Sequence, residues 1–279
     1  MNFARRLLEH DKPLLMGILN ITPDSFSDGG LHFDPADALR RAREMLEQGA
    51  DILDVGGEST RPGSTPVAAA TQIERVLPVI RALRQAFPDM PFISIDTTHA
   101  EVARAALEAG ASIINDVSAG RDDPAMLPLA AEFGAPIVLM HMQGTPLAMQ
   151  DNPYYEDVVE EVLAFLLGRA EAALAAGVAR ENLILDPGIG FGKRRDDNLM
   201  LMANLHRLAA AGYPILLGAS RKRFMGAVCN ESRPAELVAA TVAATTIGVM
   251  AGVRIFRVHD VKENRQAVDV AHAIRAFSR

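Results

Sequence analysis

Eight short apolar segments recur along the chain, and they constrain its fold more than any other feature of the sequence. Each is rich in isoleucine, leucine and valine and lacks the alternation of polar and apolar residues that a half-exposed strand shows. We therefore predict eight strands buried on both faces. They cover residues 14–20, 50–57, 91–97, 112–119, 136–142, 183–189, 214–220 and 253–260.

Helices are predicted between these strands. The first begins at Asp34-Pro35, a capping residue followed by proline, and ends at Gly49. The others cover residues 66–87, 100–109, 124–133, 154–176, 198–211, 235–250 and 261–277. Eight alternations of strand and helix predict one closed (β/α)8 barrel, whereas an open doubly wound sheet would need a glycine-rich first turn. No linker is visible, so we expect residues 1–279 to form a single domain, with the barrel proper at about residues 14–278.

The composition excludes several classes of protein. A net charge of −7 and an isoelectric point near 5.5 disfavour a nucleic-acid partner. No run of about 18 apolar residues is present, so we expect no membrane-spanning helix. The single cysteine, Cys229, permits neither an intrachain disulfide nor a cysteine-based zinc site, which suits a reducing cytoplasm.

Polar residues collect at the carboxyl ends of the predicted strands, whereas the amino ends carry mostly Ala, Gly, Pro and Leu. In a barrel of this kind the active site lies at the carboxyl ends. The asymmetry therefore predicts an active site there. In chain order the polar residues are Asn20, Glu58-Ser59-Thr60-Arg61, Asp96, Asn115-Asp116, His141, Asp186, Ser220-Arg221-Lys222, Arg257 and His259.

Asp96, Asn115 and Asp186 are rooted in apolar strands. A buried carboxylate needs hydrogen-bond donors. A planar ligand with an amidine-like edge would supply two parallel N–H groups; a protein arginine or a helix N-terminus is the alternative. We favour the ligand.

A second group is cationic and comprises Arg61, Lys222, Arg257 and His259. Such local positive charge in an acidic protein suits a phosphate or carboxylate ligand, with surface ion pairs as the alternative. Arg257 and His259 lie two residues apart on a predicted strand and so face the same way. Asn20 could hold Mg2+ already bound to a diphosphate, because Mg2+ often takes only one or two protein ligands.

Residues 188–193 look like a phosphate-binding loop but fail the pattern, since Walker A needs glycine at Pro187 and serine or threonine at Arg194. We interpret the three glycines as a sharp turn that brings Phe191 to the mouth of the barrel. His141 is expected to be a hydrogen-bonded core histidine.

Seven motifs resemble those of the dihydropteroate synthase family, and each falls at a predicted strand end. They are GILNITPDSFSDGG (17–30), DVGGESTRPG (54–63), SIDT (94–97), INDV (114–117), LDPGIGFGK (185–193), GASRKR (218–223) and RVHD (257–260). The resemblance implies a transferase of folate biosynthesis and a target of sulfonamides. It would join (7,8-dihydropterin-6-yl)methyl diphosphate to 4-aminobenzoate with Mg2+ and release diphosphate and 7,8-dihydropteroate.

The resemblance also implies roles for individual residues. Those for the pterin are Asp96, Asn115, Met140, Asp186, Phe191, Gly218 and Lys222. Those for the diphosphate are Asn20, Arg257 and His259, with Asn20 acting through Mg2+. Those for 4-aminobenzoate are Phe26, Thr60, Arg61, Pro62, Lys222 and Arg223. Catalysis falls to Asp96, Asp186, Lys222, Arg61 and Asp28, with Asp28 meeting Arg61 as a lid at residues 22–30 closes.

Three other functions stay open at this point. One is a methyltransferase domain of the methyltetrahydrofolate type, and another is a pterin-binding paralogue without turnover. The third is a Schiff-base aldolase using Lys222, which we disfavour because nothing in its polar loop is expected to desolvate the lysine. We expect only small-molecule substrates and a second copy of the chain as partners. The predicted helices at residues 235–250 and 261–277 are the candidate faces of that homodimer.

Overall fold

Eight parallel strands form the centre of the computed structural model, which describes residues 12–21, 35–58, 66–89, 92–145, 149 and 152–277. Their order in the sheet is β6-β5-β4-β3-β2-β1-β8-β7. A backbone bridge from Leu185 in β6 to Ile215, next to β7, joins the two outer strands and nearly closes the ring. The predicted (β/α)8 barrel is confirmed. The strands are β1 (Leu14–Asn20), β2 (Ile52–Gly56), β3 (Phe92–Asp96), β4 (Ile113–Asp116), β5 (Ile137–Met140), β6 (Leu183–Asp186), β7 (Leu216–Leu217) and β8 (Ile255–Val258).

Helices surround the strands in the described part of the chain. They are α1 (Pro35–Glu47), α2 (Ala69–Ala86), α3 (Ala100–Glu108), α4 (Met126–Phe133), α5 (Val158–Ala175), α6 (Arg195–Ala203), α7 (Leu205–Ala209), α8 (Arg223–Cys229), α9 (Val238–Ala251) and α10 (Val261–Ala276). Short 3-10 helices lie at Arg180–Asn182 and Pro234–Glu236. None of the helices in the described ranges combines the length and apolar composition needed to cross a bilayer.

An apolar cluster fills the amino-terminal half of the barrel interior, with members from all eight strands. They are Leu14, Met16, Ile52, Phe92, Ile113, Val138, Ile184, Leu216 and Ile255. Side chains on a strand alternate between its two faces, so the next inward residue lies two positions further on. Those positions hold Asp54, Ser94, Asn115, Met140, Asp186 and Arg257, and one further step on β3 reaches Asp96. The interior therefore changes from apolar to polar towards the carboxyl ends.

Several element boundaries differ from the prediction for local reasons. The predicted helix at residues 198–211 is two helices, separated at Asn204, whose side-chain amide donates to the carbonyl of Met200 at 2.8 Å. The first of them begins earlier because Asp197 accepts the Arg194 N–H at 2.8 Å as a cap. The helix predicted from residue 154 begins at Val158, since Asp157 caps its first turn.

Two glycines in helices provide a matched test of the packing. A Cβ at Gly248 in α9 would lie 2.6 Å from the Phe256 ring, whereas a Cβ at Gly168 in α5 would meet nothing within 4 Å. We expect Gly248→Ala to cost about 1–3 kcal/mol through overpacking, more than the gain in helical propensity returns. Gly168→Ala should stabilise by about 0.5–1 kcal/mol. Urea unfolding midpoints measure both, and shifts of the same sign would contradict this packing.

Candidate active site

Arg257 lies at the centre of the polar layer inside the barrel. Its Nε donates to Asp54 Oδ2 at 2.6 Å, and its Nη2 donates to Asp96 Oδ2 at 2.6 Å. The side-chain amide of Asn115 donates to the same Asp54 oxygen at 3.1 Å. One guanidinium therefore connects β8 with β2 and β3. The pairing of Asp96 with a protein arginine, which the sequence left open, is present.

The sequence-based site did not include Asp54. This carboxylate is fully buried, and its Oδ1 has no hydrogen-bond partner among the described residues. The hydroxyl of Ser94, which pairs in register with Asp54 on the neighbouring strand, is also without a partner there. The signal was available, because Asp54 is an ionisable residue in an apolar segment and shares the inward face with Ile52.

Burial disfavours the ionised forms of Asp96 and Asp186, the two carboxylates predicted to bind the pterin. It raises the pKa of Asp96, and the nearby Arg257 guanidinium opposes this effect. It also raises the pKa of Asp186 to about 6, against the lowering effects of the Gly188 N–H, Lys222, Lys193 and Arg257. A ligand that donates hydrogen bonds to either carboxylate would therefore stabilise a charge that the barrel interior disfavours.

Besides the buried Asp54 Oδ1 and Ser94 hydroxyl, three acceptor oxygens in this layer remain open. They are Asp96 Oδ1, Asn115 Oδ1 and Asp186 Oδ2, and no described residue donates a hydrogen bond to them. Asp96 and Asn115 are partners in register on β3 and β4, and all three side chains take inward positions. Gly218 faces Asp186 Oδ2, since a Cβ on this glycine would lie 3.8 Å from that oxygen. The layer thus presents acceptors to a ligand rich in N–H donors.

An apolar cluster borders these acceptors. Met140 and Phe191, both predicted to line the pterin pocket, belong to it, and its full membership is Val117, Met140, Met142, Met149 and Phe191. The Nζ of Lys222 lies 4.0 Å from the centre of the Phe191 ring. The cluster therefore provides flat apolar surface beside the polar groups.

The expectation that nothing desolvates Lys222 is wrong. Its side chain is half-buried at the start of α8, and burial, followed by the charge of Arg257, lowers the pKa of Lys222 to about 8. The loop is polar in sequence, but it folds the lysine over the Phe191 ring. Arg223, the next residue, is exposed as the first residue of α8.

The predicted diphosphate residues lie at the carboxyl ends of β1 and β8. A Cβ on Gly56 would lie 3.6 Å from Asn20 Oδ1 and 3.4 Å from the Asp96 Cβ, so this glycine gives both side chains room. The ring of His259 contacts the Ser220 hydroxyl at 3.0 Å. Burial and the charge of Arg257 lower the pKa of His259 to about 3, so its imidazole is neutral, not cationic as the sequence suggested.

The donor set around Asn20 fits a magnesium ion that brings most of its own ligands. Among the described residues no three His, Cys, Asp or Glu side chains cluster as a metal site. Within the same ranges, nothing hydrogen-bonds to the Asn20 carboxamide. Its oxygen can therefore serve as a single neutral ligand, with phosphate oxygens and water completing the octahedron.

The turn after β6 is sharp, as predicted. Gly188 and Gly192 have φ of +64° and +58°, and a Cβ on either would overlap the carbonyl oxygen of His141 or Gln143, respectively. The expectation for His141 is also confirmed, because its buried ring contacts the Lys193 ammonium at 2.9 Å. The loops after β5 and β6 thus pack backbone against backbone.

Comparisons with known proteins agree with this geometry. Residues 16–259 match the family model of pterin-binding enzymes. The chain is 45% identical over 266 residues to dihydropteroate synthase of Escherichia coli (strain K12), covering 95% of this chain and 93% of the relative. The chain belongs to the dihydropteroate synthase family.

Solved structures of dihydropteroate synthase share the fold closely. The Xanthomonas albilineans enzyme with 4-aminobenzoic acid has a TM-score of 0.89 at 45% identity, over 95% of this chain and 94% of that chain. The same enzyme in complex with 7,8-dihydropteroate has a TM-score of 0.85 at 42% identity, over 95% of each chain. Family membership, not the charge of Lys222, decides against the Schiff-base aldolase.

Five residues with roles implied by the dihydropteroate synthase motifs lie outside the described residues. They are Phe26, Asp28, Thr60, Arg61 and Pro62. Their roles, and the lid at residues 22–30, stay predictions.

Gln72 is a buried residue that the sequence-based site did not include. Its side chain binds the described chain on both sides of residues 59–65. Gln72 Nε2 donates to Glu58 Oε2 at 2.6 Å and to the Val67 carbonyl at 2.9 Å. Its Oε1 accepts from the Thr97 hydroxyl at 3.0 Å. Gln72 therefore ties both flanks to the end of β3.

The ion pairs of Arg257 should contribute far more to stability than an exposed pair of similar geometry. Arg257→Met leaves the buried Asp54 and Asp96 without their cation, and we expect it to cost about 3–5 kcal/mol. Arg104→Met breaks a two-bond pair with Glu132 in which both side chains are about half exposed. That control should cost far less, because water screens an exposed pair. Equal losses in urea unfolding would contradict this account of the interior.

Proposed function

We propose that this protein is a dihydropteroate synthase. It joins (7,8-dihydropterin-6-yl)methyl diphosphate to 4-aminobenzoate and releases 7,8-dihydropteroate and diphosphate. The observation that carries the proposal is the set of open acceptors on Asp96, Asn115 and Asp186, beside an apolar wall. A pterin carries an exocyclic amino group and ring N–H groups along one edge and has two flat faces, so it matches both features.

Phe191 and Met140 contact the pterin ring in this proposal. Lys222 lies over the Phe191 ring, at the edge of the pterin. The pterin donors take Asp96 Oδ1, Asn115 Oδ1 and Asp186 Oδ2. The hydrogen bonds to Asp96 and Asp186 stabilise carboxylates whose ionisation burial opposes. Hydrogen bonds from the substrate thereby replace part of the hydration that these side chains lose when they are buried in the barrel.

The leaving diphosphate lies at the ends of β1 and β8 in this scheme. Arg257 Nη1 has no hydrogen-bond partner among the described residues and faces the anion, while the neutral His259 ring donates a hydrogen bond to it through its N–H. Mg2+, when bound with Asn20 as its protein ligand, would neutralise charge on the diphosphate. With its charge stabilised in this way, diphosphate leaves before the aromatic amine attacks, so the reaction is dissociative.

Loss of diphosphate leaves a cationic methylene conjugated with the pterin. Asp96 and Asp186 stabilise that positive charge, because both carboxylates lie in a medium that screens poorly. An aromatic amine is a weak nucleophile, so it attacks after the cation has formed. No serine, cysteine or histidine nucleophile is required.

The relatives support this substrate pair. The Xanthomonas albilineans enzyme has been solved with 4-aminobenzoic acid and with 7,8-dihydropteroate. Neither ligand is expected in a methyltetrahydrofolate-type methyltransferase domain. A paralogue that binds pterin without turnover would share the pocket, so turnover itself is the decisive observation.

The purified protein should convert both substrates into equal amounts of dihydropteroate and diphosphate when Mg2+ is present. Chromatography of the pterin product and a phosphate assay after pyrophosphatase measure the two. Asp186→Asn should lower kcat/KM by about 100-fold, as loss of one preorganised electrostatic group does. Asp196→Asn, on the exposed surface of α6, is the matched control and should leave the rate unchanged. Absence of product from the wild-type protein would refute the function.

We also propose that the protein is a homodimer. The neighbouring helices α9 and α10 expose Ile247 (51%), Met250 (44%), Val270 (60%) and Ile274 (55%). Their spacing of three or four residues places each pair on one helix face. An apolar face of this kind on a 30.0 kDa chain suits a second copy of the same surface.

Light scattering should give a mass of about 60 kDa, twice the chain mass of 30.0 kDa. Val270→Glu should shift it towards the monomer, because a charge is then buried without a partner. Met200→Glu, at an exposed apolar residue of α6, is the control and should leave the dimer intact. A wild-type monomer at micromolar concentration would contradict the proposal.

A further inference from the structure

The ammonium of Lys193 is buried at the mouth of the barrel, with 3% of the residue exposed. It lies 2.9 Å from His141 Nδ1 and donates to the carbonyl oxygens of Gly188 at 2.9 Å and Phe191 at 3.0 Å. A longer contact of 3.4 Å reaches the His141 carbonyl. An ammonium has three protons, and each has an acceptor here. The proposed reaction gives this lysine no task.

His141 can accept from the lysine only as a neutral ring. Burial lowers its pKa far below the usual value, and the charges of Lys193 and Arg121 lower it further. The ring packs edge-on against Phe165, with centres 4.8 Å apart. It therefore forms a fixed acceptor at the end of β5.

We propose that Lys193 is a positioning residue for the pterin site. Its ammonium ties the turn at residues 188–192 to His141, and so holds Phe191 and Asp186 in place for the pterin. This inference rests on the proposed function, because it names a group that supports that same site.

The turn at residues 188–192 directly positions Asp186 and Phe191, the two residues proposed to contact the pterin. The Gly188 N–H donates to Asp186 Oδ1 at 2.7 Å, which fixes the carboxylate and leaves its other oxygen facing Gly218. The Phe191 carbonyl is one of the acceptors of the ammonium, and its ring lies under Lys222. Without the ammonium, the Phe191 carbonyl would lose its donor, and the Gly188 carbonyl would keep only the Phe191 N–H, at 3.0 Å.

The charge of Lys193 also acts on Asp186. Three cations from three elements lower the pKa of this carboxylate: Lys222 after β7, Lys193 after β6 and Arg257 on β8. Burial lowers the pKa of Lys193 itself to about 7, with Asp186 and Asp197 opposing this and Lys222 adding to it. Lys193 is thus protonated near pH 6, where Asp186 titrates, and its removal should raise the pKa of Asp186.

Binding of 6-hydroxymethylpterin, followed by its fluorescence between pH 5 and 8, tests both effects. Wild-type affinity should rise with pH as Asp186 and Asp96 ionise, and the lower midpoint, at about 6, belongs to Asp186. Lys193→Met should weaken binding at pH 7 about tenfold, equivalent to about 1.4 kcal/mol, and move the midpoint to higher pH. In turnover, the Michaelis constant for the pterin diphosphate should rise, while the constant for the aminobenzoate substrate should not change.

Tyr155→Phe is the matched control, because the Tyr155 hydroxyl donates to the Gly192 carbonyl of the same turn at 2.6 Å without carrying charge. It should lower the melting temperature and leave the pH midpoint unchanged. Lys193→Gln keeps donors but no charge, so it should recover affinity and retain the raised midpoint. It also carries the test if Lys193→Met does not fold.

A folded Lys193 variant with wild-type pterin affinity and an unmoved midpoint would overturn the inference. A midpoint shift of the same size in Tyr155→Phe would overturn the electrostatic part. If the wild-type protein forms dihydropteroate while the Lys193 variants behave as wild type, only this inference fails and the proposed function stands.

Discussion

One partly buried guanidinium connects three strands at the catalytic end of this barrel. Arg257 reaches from β8 across the interior to Asp54 on β2 and Asp96 on β3, with both distances at 2.6 Å. Burying two neighbouring carboxylates away from water is costly unless a cation compensates their charge. The arginine therefore opposes the rise that burial causes in the pKa of Asp96, at the site where the proposed reaction develops positive charge.

The alternation of side chains along each strand places this chemistry. Inward positions are apolar at the amino ends, and two residues later most of them carry polar or charged side chains. The apolar residues at the amino ends supply rigidity, and glycines at positions 56 and 218 lie directly beside the polar groups of Asn20 and Asp186. Stability and function thus occupy successive levels of the same eight strands.

Much of this arrangement is predictable because strand ends are visible in sequence. Asp96, Asn115, Asp186 and Arg257 each follow an apolar run, and the structure places all four in one polar layer. Asp54 begins the motif at residues 54–63 but received no predicted role. It lies within an apolar run, where only the alternation of inward and outward positions reveals it. The neutral charge of His259 and the desolvation of Lys222 depend on neighbours distant in sequence, and no local pattern contains them.

A crystal structure with bound pterin tests the central claim most directly. We expect the pterin N–H groups to donate to Asp96, Asn115 and Asp186, while Arg257 keeps its bonds to Asp54 and to the other oxygen of Asp96. A pterin bound away from these three acceptors, or an Arg257 that has left both Asp54 and Asp96, would contradict this expectation.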